Sequence, residues 1–256
     1  HYHSRGHNPA PVERMKVVAF NGSPKGAESN THVIVDAFLE GAAAAGADVE
    51  NVFLAEKKIA HCLGCFGCWS SPTGECVQKD DMEELIEKYT AADIVVFATP
   101  LHNDNVSSRL KMFIDRLLPL GNPYFAVDRE GETIHPSRGG KIPKFVMISN
   151  CGFPEQSHFQ VLHLLTERMA RNYKTEFIAE IYRGGGAWLT EPSLDEAVAR
   201  YRDLVRKAGE EVVMQGRLSG ETKAHLEQPL IPSPDYIEIY RAAVNRYWDE
   251  VLGGNK

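Results

Sequence analysis

Short apolar runs alternate along this chain with longer stretches of helical period. Residues 16–20 (KVVAF) form an apolar run that stops at Asn21-Gly22-Ser23-Pro24, the pattern of a buried strand closed by chain breakers. From 29 to 46, Val33, Ile34, Ala37, Phe38 and Ala42 recur at steps of three and four and predict a helix. Residues 48–54 (DVENVFL) alternate and predict a second strand. Beyond a cysteine-bearing loop, Asp80-Asp81 opens a helix through Tyr89, and 93–99 (DIVVFAT) is the most strand-like run in the chain. Leu110, Ile114 and Leu117 share one face of a helix over 107–118. Residues 144–149 (KFVMIS) and 175–182 predict the fourth and fifth strands, with a helix over 157–172 between them. A long helix follows over 193–214, after the break at Gly184-Gly185-Gly186.

Strands that are apolar on both faces need cover on both sides. The order βαβαβαβαβα therefore predicts an α/β fold, a doubly wound five-stranded parallel sheet with helices on both faces. Two stretches stand outside that rhythm. Residues 119–142 read as an insertion whose centre, FAVDREGETIHP, has turn residues between two short alternating arms and predicts a hairpin. Residues 218–256 are Pro-containing and end in an amphipathic helix over 235–252 that carries Tyr240, Tyr247 and Trp248. They form an expected C-terminal helical arm that packs on the domain or on a neighbouring subunit. The domain itself is expected over 15–217, because Met15 leads directly into the first strand. Residues 1–14 (HYHSRGHNPAPVER) are polar and read as a disordered leader or an expression remnant.

Composition narrows the function classes. The formal net charge of −7, with both signs mixed along the chain, argues against a nucleic-acid or anionic-membrane surface. No apolar run reaches the roughly 18 residues that span a bilayer, and the opening residues lack a secretory h-region. Five cysteines, four of them clustered, make a poor disulfide framework and point to reduced thiols in the cytoplasm.

The loop after the first strand, NGSPKGAESNT (21–31), joins a strand to a helix start. Clustered backbone N–H groups and a helix N-terminus favour a phosphate there, and Ser23, Ser29, Asn30, Thr31 and Lys25 add side-chain donors and charge. Helix capping alone also explains Ser29 or Asn30. The loop's place at the carboxyl edge of a doubly wound sheet, where ligands bind, favours the phosphate.

NGSPKGAESNT resembles the phosphate loop of the NADPH-dependent FMN reductase family, and TPLHNDNVSSRLKMFIDR (99–116) resembles that family's second flavin loop. The resemblance runs from about Met15 to Tyr182 and implies a flavodoxin-like fold. It implies FMN phosphate contacts from Ser23, Lys25, Ser29, Asn30 and Thr31, and ring contacts from Pro100, Leu101, His102, Asn103, Asp104 and Val106. Asn150, Cys151, Gly152 and Phe153 would close the other side of the ring. His102 stands where the family often has Tyr or Phe, so a hydrogen bond replaces ring stacking in that expectation.

Cys62-x2-Cys65-x2-Cys68-x7-Cys76 is the most specific chemical signal. Thiolates at this spacing can converge on one metal centre, and Gly64, Gly67 and Gly74 allow a tight wrap. Within the family the loop is most similar to the iron–sulfur flavoproteins, which implies a 4Fe–4S cluster on these four residues. Free thiols, a zinc site and plain apolar packing are the alternatives. The resemblance thus implies an FMN-containing, NAD(P)H-dependent oxidoreductase that transfers electrons to an acceptor, as a homodimer or homotetramer. A cluster-free NAD(P)H:FMN or quinone reductase and a non-catalytic flavodoxin-like electron carrier are the rival readings.

Overall fold

A computed structural model describes residues 13–253; the expectation of a leader falls largely on residues outside that range. Five strands, β1 (Lys16–Asn21), β2 (Asp48–Phe53), β3 (Ile94–Pro100), β6 (Lys144–Asn150) and β7 (Phe177–Arg183), form one parallel sheet in the order β2-β1-β3-β6-β7. Between them, β4 (Ala126–Val127) and β5 (Thr133–Ile134) pair antiparallel as the expected hairpin inside the insertion. The helices are α1 (Asn30–Ala44), α2 (Gly67–Ser70), α3 (Met82–Ala91), α4 (Ser108–Asp115), α5 (Gln160–Asn172), α6 (Asp195–Gln215), α7 (Gly220–Leu226) and α8 (Tyr236–Gly253). The sheet is doubly wound and flavodoxin-like, as expected.

The period of two in the strands sorts the core into two layers. Val17, Ala19, Val96, Ala98, Val146 and Ile148 face one way, into a cluster completed by α1 and α6. Val18, Phe20, Val95, Phe97, Phe145 and Met147 face the other way, onto α3, α4 and α5. Both sides are dry, which is why these strands read as unbroken apolar runs. α1 and α6 cross at two glycines: a Cβ on Gly41 would sit 1.9 Å from the Arg206 carbonyl oxygen, and one on Gly209 would sit 2.1 Å from that of Phe38. Their backbones therefore touch.

Three boundaries differ from the sequence expectation. The helix expected over 107–118 ends at Asp115, and the chain tightens into a 3-10 turn over Leu118–Leu120, where Pro119 cannot continue an α-helix. The helix expected from 157 begins as a 3-10 turn over Gln156–Phe159. The arm contains an unexpected helix, α7. Its Thr222 hydroxyl donates to the buried Glu211 carboxylate (2.5 Å), and its Leu226 joins the core beside Leu230. No helix among the described residues is long and apolar enough to cross a membrane.

Candidate functional site at the strand ends

Successive connections leave β1 toward opposite neighbours, β2 and β3, so the order of the sheet reverses at β1 and opens a crevice at its carboxyl edge. Three loops line that crest, those after β1, β3 and β6. Ser107 locks the first two together. Its hydroxyl donates to the Gly22 carbonyl (2.6 Å) while accepting from Leu110 N–H as the cap of α4, and its own N–H donates to Thr99 Oγ1 (2.8 Å). Asn150 ties the third loop to the first, donating through Nδ2 to Thr31 Oγ1 (2.7 Å).

In the first loop, Ser23 is buried and Lys25 is exposed, with no ion pair among the described residues. Ser29 caps α1: its hydroxyl accepts from His32 N–H (3.0 Å) and donates to the Gly26 carbonyl (2.7 Å). Asn30 accepts a hydrogen bond from the Thr190 hydroxyl, and Thr31 is buried. The backbone N–H groups of Asn30 and Thr31 have no partner among the described residues, as the first turn of a helix requires. Two amides and the positive helix end thus remain available to an anion.

The second loop is a tight turn. His102 and Asn105 exchange backbone hydrogen bonds (2.9 and 3.1 Å), with Asn103 and Asp104 between them in left-handed backbone. Both residues belong to the types that tolerate this conformation. Pro100 and Leu101 are half-buried, His102 projects outward and Val106 is buried. In the third loop Cys151 is buried and donates its thiol proton to the Phe153 carbonyl. Burial pushes that thiol up to about 11, so it stays neutral near pH 7. Gly152 and Phe153 are exposed, and their N–H groups, like those of Asn103 and Asp104, have no partner among the described residues. The structure thus gathers the residues named for the three loops on one crest and leaves donors open on it.

Sequence reasoning missed the back of this site. The loop after β7 folds under the third loop through Gly185 N–H to the Phe153 carbonyl (2.7 Å) and Gly186 N–H to the Cys151 carbonyl (2.8 Å). α8 then lays Tyr236 and Tyr240 against it. Trp188 meets Tyr240 edge-on at 4.7 Å, and Gly185, at φ +68°, has the Tyr236 hydroxyl where a Cβ would go. Neither side-chain hydroxyl has a hydrogen-bond partner among the described residues. Burial raises both phenols, Tyr240 to about 12. The glycine run marked the break in the chain; nothing in it marked the tyrosines.

The cysteine loop is arranged differently. Arg116, from the end of α4, forms a bidentate pair with Asp80 (2.7 and 3.0 Å) and donates to the Ala60 carbonyl (2.8 Å), fixing both ends of the loop. Burial alone would raise the Asp80 carboxyl, but the Arg116 hydrogen bonds, the Ala60 and Met82 N–H groups and the guanidinium charge together hold it below the usual carboxylate range. Arg138, from the insertion, donates to the carbonyls of Cys68 (2.9 Å), Trp69 (3.3 Å) and Gly121 (3.1 Å). Phe66 takes left-handed backbone and starts α2, which turns Cys68 inward, whereas Cys62 and Cys65 face solvent and Cys76 is half-buried. Burial raises the Cys68 thiol, with Cys76 and Cys62 adding to the effect. Among the described residues no three Cys, His, Asp or Glu side chains converge as metal ligands. The four thiols expected on one centre are neighbours in this arrangement, not a ligand set.

A doubly wound parallel sheet in the order β2-β1-β3-β6-β7 defines an α/β fold of flavodoxin type. Residues 15–128 match the family model of NADPH-dependent FMN reductase. The chain is 37% identical over 142 residues to an iron–sulfur flavoprotein of Archaeoglobus fulgidus, covering 56% of this chain and 58% of the relative. It is 32% identical over 114 residues to an FMN-dependent NADH:quinone oxidoreductase of Methylorubrum extorquens, covering 42% of this chain and 56% of that one. The chain thus spans little more than half the length of these curated relatives. In fold it is similar to an FMN-dependent NADH-azoreductase from Bacillus anthracis, solved in complex with FMN. The TM-score is 0.57 at 18% identity, over 78% of this chain and 99% of that one.

Proposed function

We propose that the strand-end crest binds FMN and that the protein is an NAD(P)H-dependent oxidoreductase. The observation that carries this reading is the set of unpartnered N–H groups at Asn30 and Thr31, on a helix N-terminus beside Ser23 and the free amine of Lys25. These groups fit a phosphomonoester. The open amides of Asn103, Asp104, Gly152 and Phe153 fit the carbonyl edge of a flavin ring, with Pro100, Leu101, His102, Val106 and Cys151 walling it and Asn150 bracing the crest.

When bound, FMN supplies hydride acceptance and onward electron transfer. The chain's own part is to hold and exclude. Ser29 and Ser107 spend their hydroxyls on caps, so they fix the loops, and Ser23 Oγ and Thr31 Oγ1 keep a proton to donate to the phosphate. The exposed His102 imidazole stands where a nicotinamide or an organic acceptor would approach. Cys151, held neutral by burial, acts as a small apolar wall and not as a nucleophile.

The similarity to iron–sulfur flavoproteins supports a finer reading in which Cys62, Cys65, Cys68 and Cys76 hold an iron–sulfur cluster, which we take as 4Fe–4S; a cytoplasmic homo-oligomer is part of the same proposal. As arranged, the thiols do not fit such a centre, because no three potential ligands converge among the described residues. Iron and sulfide quantitation after anaerobic purification tests that part separately.

The central experiment titrates the flavin-free protein with FMN and with riboflavin, following flavin fluorescence. FMN is expected to bind at least about tenfold more tightly, since charge-assisted phosphate bonds contribute roughly 1.5–3 kcal/mol. Equal affinity, or no binding of either, would remove the phosphate cradle and the function with it.

A further inference from the structure

A second cavity lies at the edge of the sheet opposite the crest. Thr90, Ile142 and Tyr173 stand just before β3, β6 and β7, at the amino ends of the strands, and all three border it. Its volume is about 350 Å³, within the range of small-molecule sites. Trp69 from the cysteine loop, Leu117 and Leu120 from the turn after α4, and Ile134 from the β4–β5 hairpin supply its apolar walls. The Trp69 ring is held by its Nε1–H donating to the Leu118 carbonyl (2.9 Å), and His135 packs on it at 4.7 Å.

The ionic groups that border this cavity are of one sign. Lys141 and Lys174 line it, and among the described residues no aspartate or glutamate does. Lys141 is paired with Asp93 (2.5 Å). Lys174 is exposed and has no ion pair among the described residues. It follows the end of α5 in left-handed backbone (φ +55°), a position that favours glycine, so a cation stands there against the local preference. Lys174 also borders the adjoining groove, where the acids already have partners. Asp128 and Glu130 pair with Arg171, Glu176 pairs with Lys144, and Glu167 lies 3.3 Å from His163. Thr90, Ser137 and His135 turn polar atoms back on the protein. The Thr90 hydroxyl donates to the Ile86 carbonyl (3.0 Å), Ser137 Oγ accepts from Gly139 N–H (3.1 Å), and His135 Nδ1 faces the Asn122 and Tyr124 carbonyls.

We infer that this cavity is a second small-molecule site, which takes an aromatic monocarboxylate with its ring between the apolar walls and its carboxylate on Lys174. A ring suits walls that carry the aromatic side chains of Trp69, His135 and Tyr173. One unpaired ammonium, with no guanidinium among the lining residues, matches a single carboxylate better than a phosphate, which draws on several donors. Because Trp69 belongs to the cysteine loop, an occupant would press on the segment that carries Cys68. The site is independent of any flavin at the crest.

Equilibrium dialysis of the full chain tests this, with and without saturating FMN. The probes are 2-naphthoate, its uncharged amide 2-naphthamide, and the aliphatic carboxylate decanoate. The expected result is saturable one-to-one binding of 2-naphthoate, the same with and without FMN, and weaker binding of the other two. Lys174→Gln is expected to weaken 2-naphthoate about fivefold, the contribution of one solvent-exposed ion pair, and to leave 2-naphthamide unchanged. Ile134→Trp, which fills the cavity, is expected to abolish binding of both naphthyl probes. Lys174 is exposed and glutamine keeps a side chain of similar reach, so Lys174→Gln is expected to fold and decides the matter even if Ile134→Trp does not. Absence of saturable 2-naphthoate binding, its displacement by FMN, or an affinity that Lys174→Gln leaves unchanged overturns the proposal. So does binding of the amide or of decanoate as tight as that of 2-naphthoate, or retained binding in a folded Ile134→Trp.

Discussion

The strand-end crest and the cysteine loop both carry residues of chemical interest, and they are held in opposite ways. The crest is fastened by short bonds from small residues: Ser29 on α1, Ser107 on the Gly22 carbonyl and the Thr99 hydroxyl, and Gly185 and Gly186 on the third loop. Its unpaired donors are therefore fixed in place while remaining open. The cysteine loop is hung from two long cationic side chains, Arg116 and Arg138, that reach in from other elements. Its backbone is pinned at a few points, and of its four thiols only that of Cys68 is buried. The first region holds open donors in fixed positions, whereas the second hangs its thiols on a loop with few anchors.

Substitutions can break or sharpen this contrast. The largest effect is expected from Arg116→Ala, which leaves the Asp80 carboxylate, 10% exposed, without its partner. Removing one member of a buried pair costs about 3–5 kcal/mol, and urea unfolding should show a loss of that order. Ser107→Ala comes next. It deprives the Gly22 carbonyl of a donor and α4 of its cap, for an expected loss of roughly 1–3 kcal/mol, together with weaker FMN binding. If stability falls and FMN affinity does not, the crest is not held in the way described. Arg138→Ala is expected to change global stability least, by about 1 kcal/mol or less, because its bonds are half-exposed. Its signature is local: faster proteolytic cleavage within 60–79, with the FMN titration unchanged.

Much of this was legible along the chain. The strands announced themselves because both their faces are dry, and Ser29 and Ser107 stand where caps belong. The hairpin was visible from its turn residues, and the first loop from its small polar residues between a strand and a helix. What could not be read depends on distant meetings. Ser107 gave no sign that it would reach Gly22, 85 positions away. Tyr240, Tyr247 and Trp248 looked like the aromatic face of an amphipathic helix, and only the folded chain puts Tyr240, with Tyr236, behind the loop that carries Cys151. α7 is short and opens with glycine, so its helical character comes from the Ser219 cap and the contact of Thr222 with Glu211. The cysteine spacing was plain, but spacing does not fix the backbone at Phe66, and that residue's left-handed turn starts the helix that buries Cys68 while Cys62 and Cys65 stay exposed.

The Ser107 hydroxyl joins two segments that a ligand would otherwise have to draw together. Their order is installed while the chain folds, so an arriving molecule surrenders little freedom of the protein's and meets donors already aligned. Grip and fold are then thermodynamically linked: whatever loosens the seam between β1 and β3 weakens the hold on the guest, and the guest in return resists unfolding in proportion to the logarithm of its concentration.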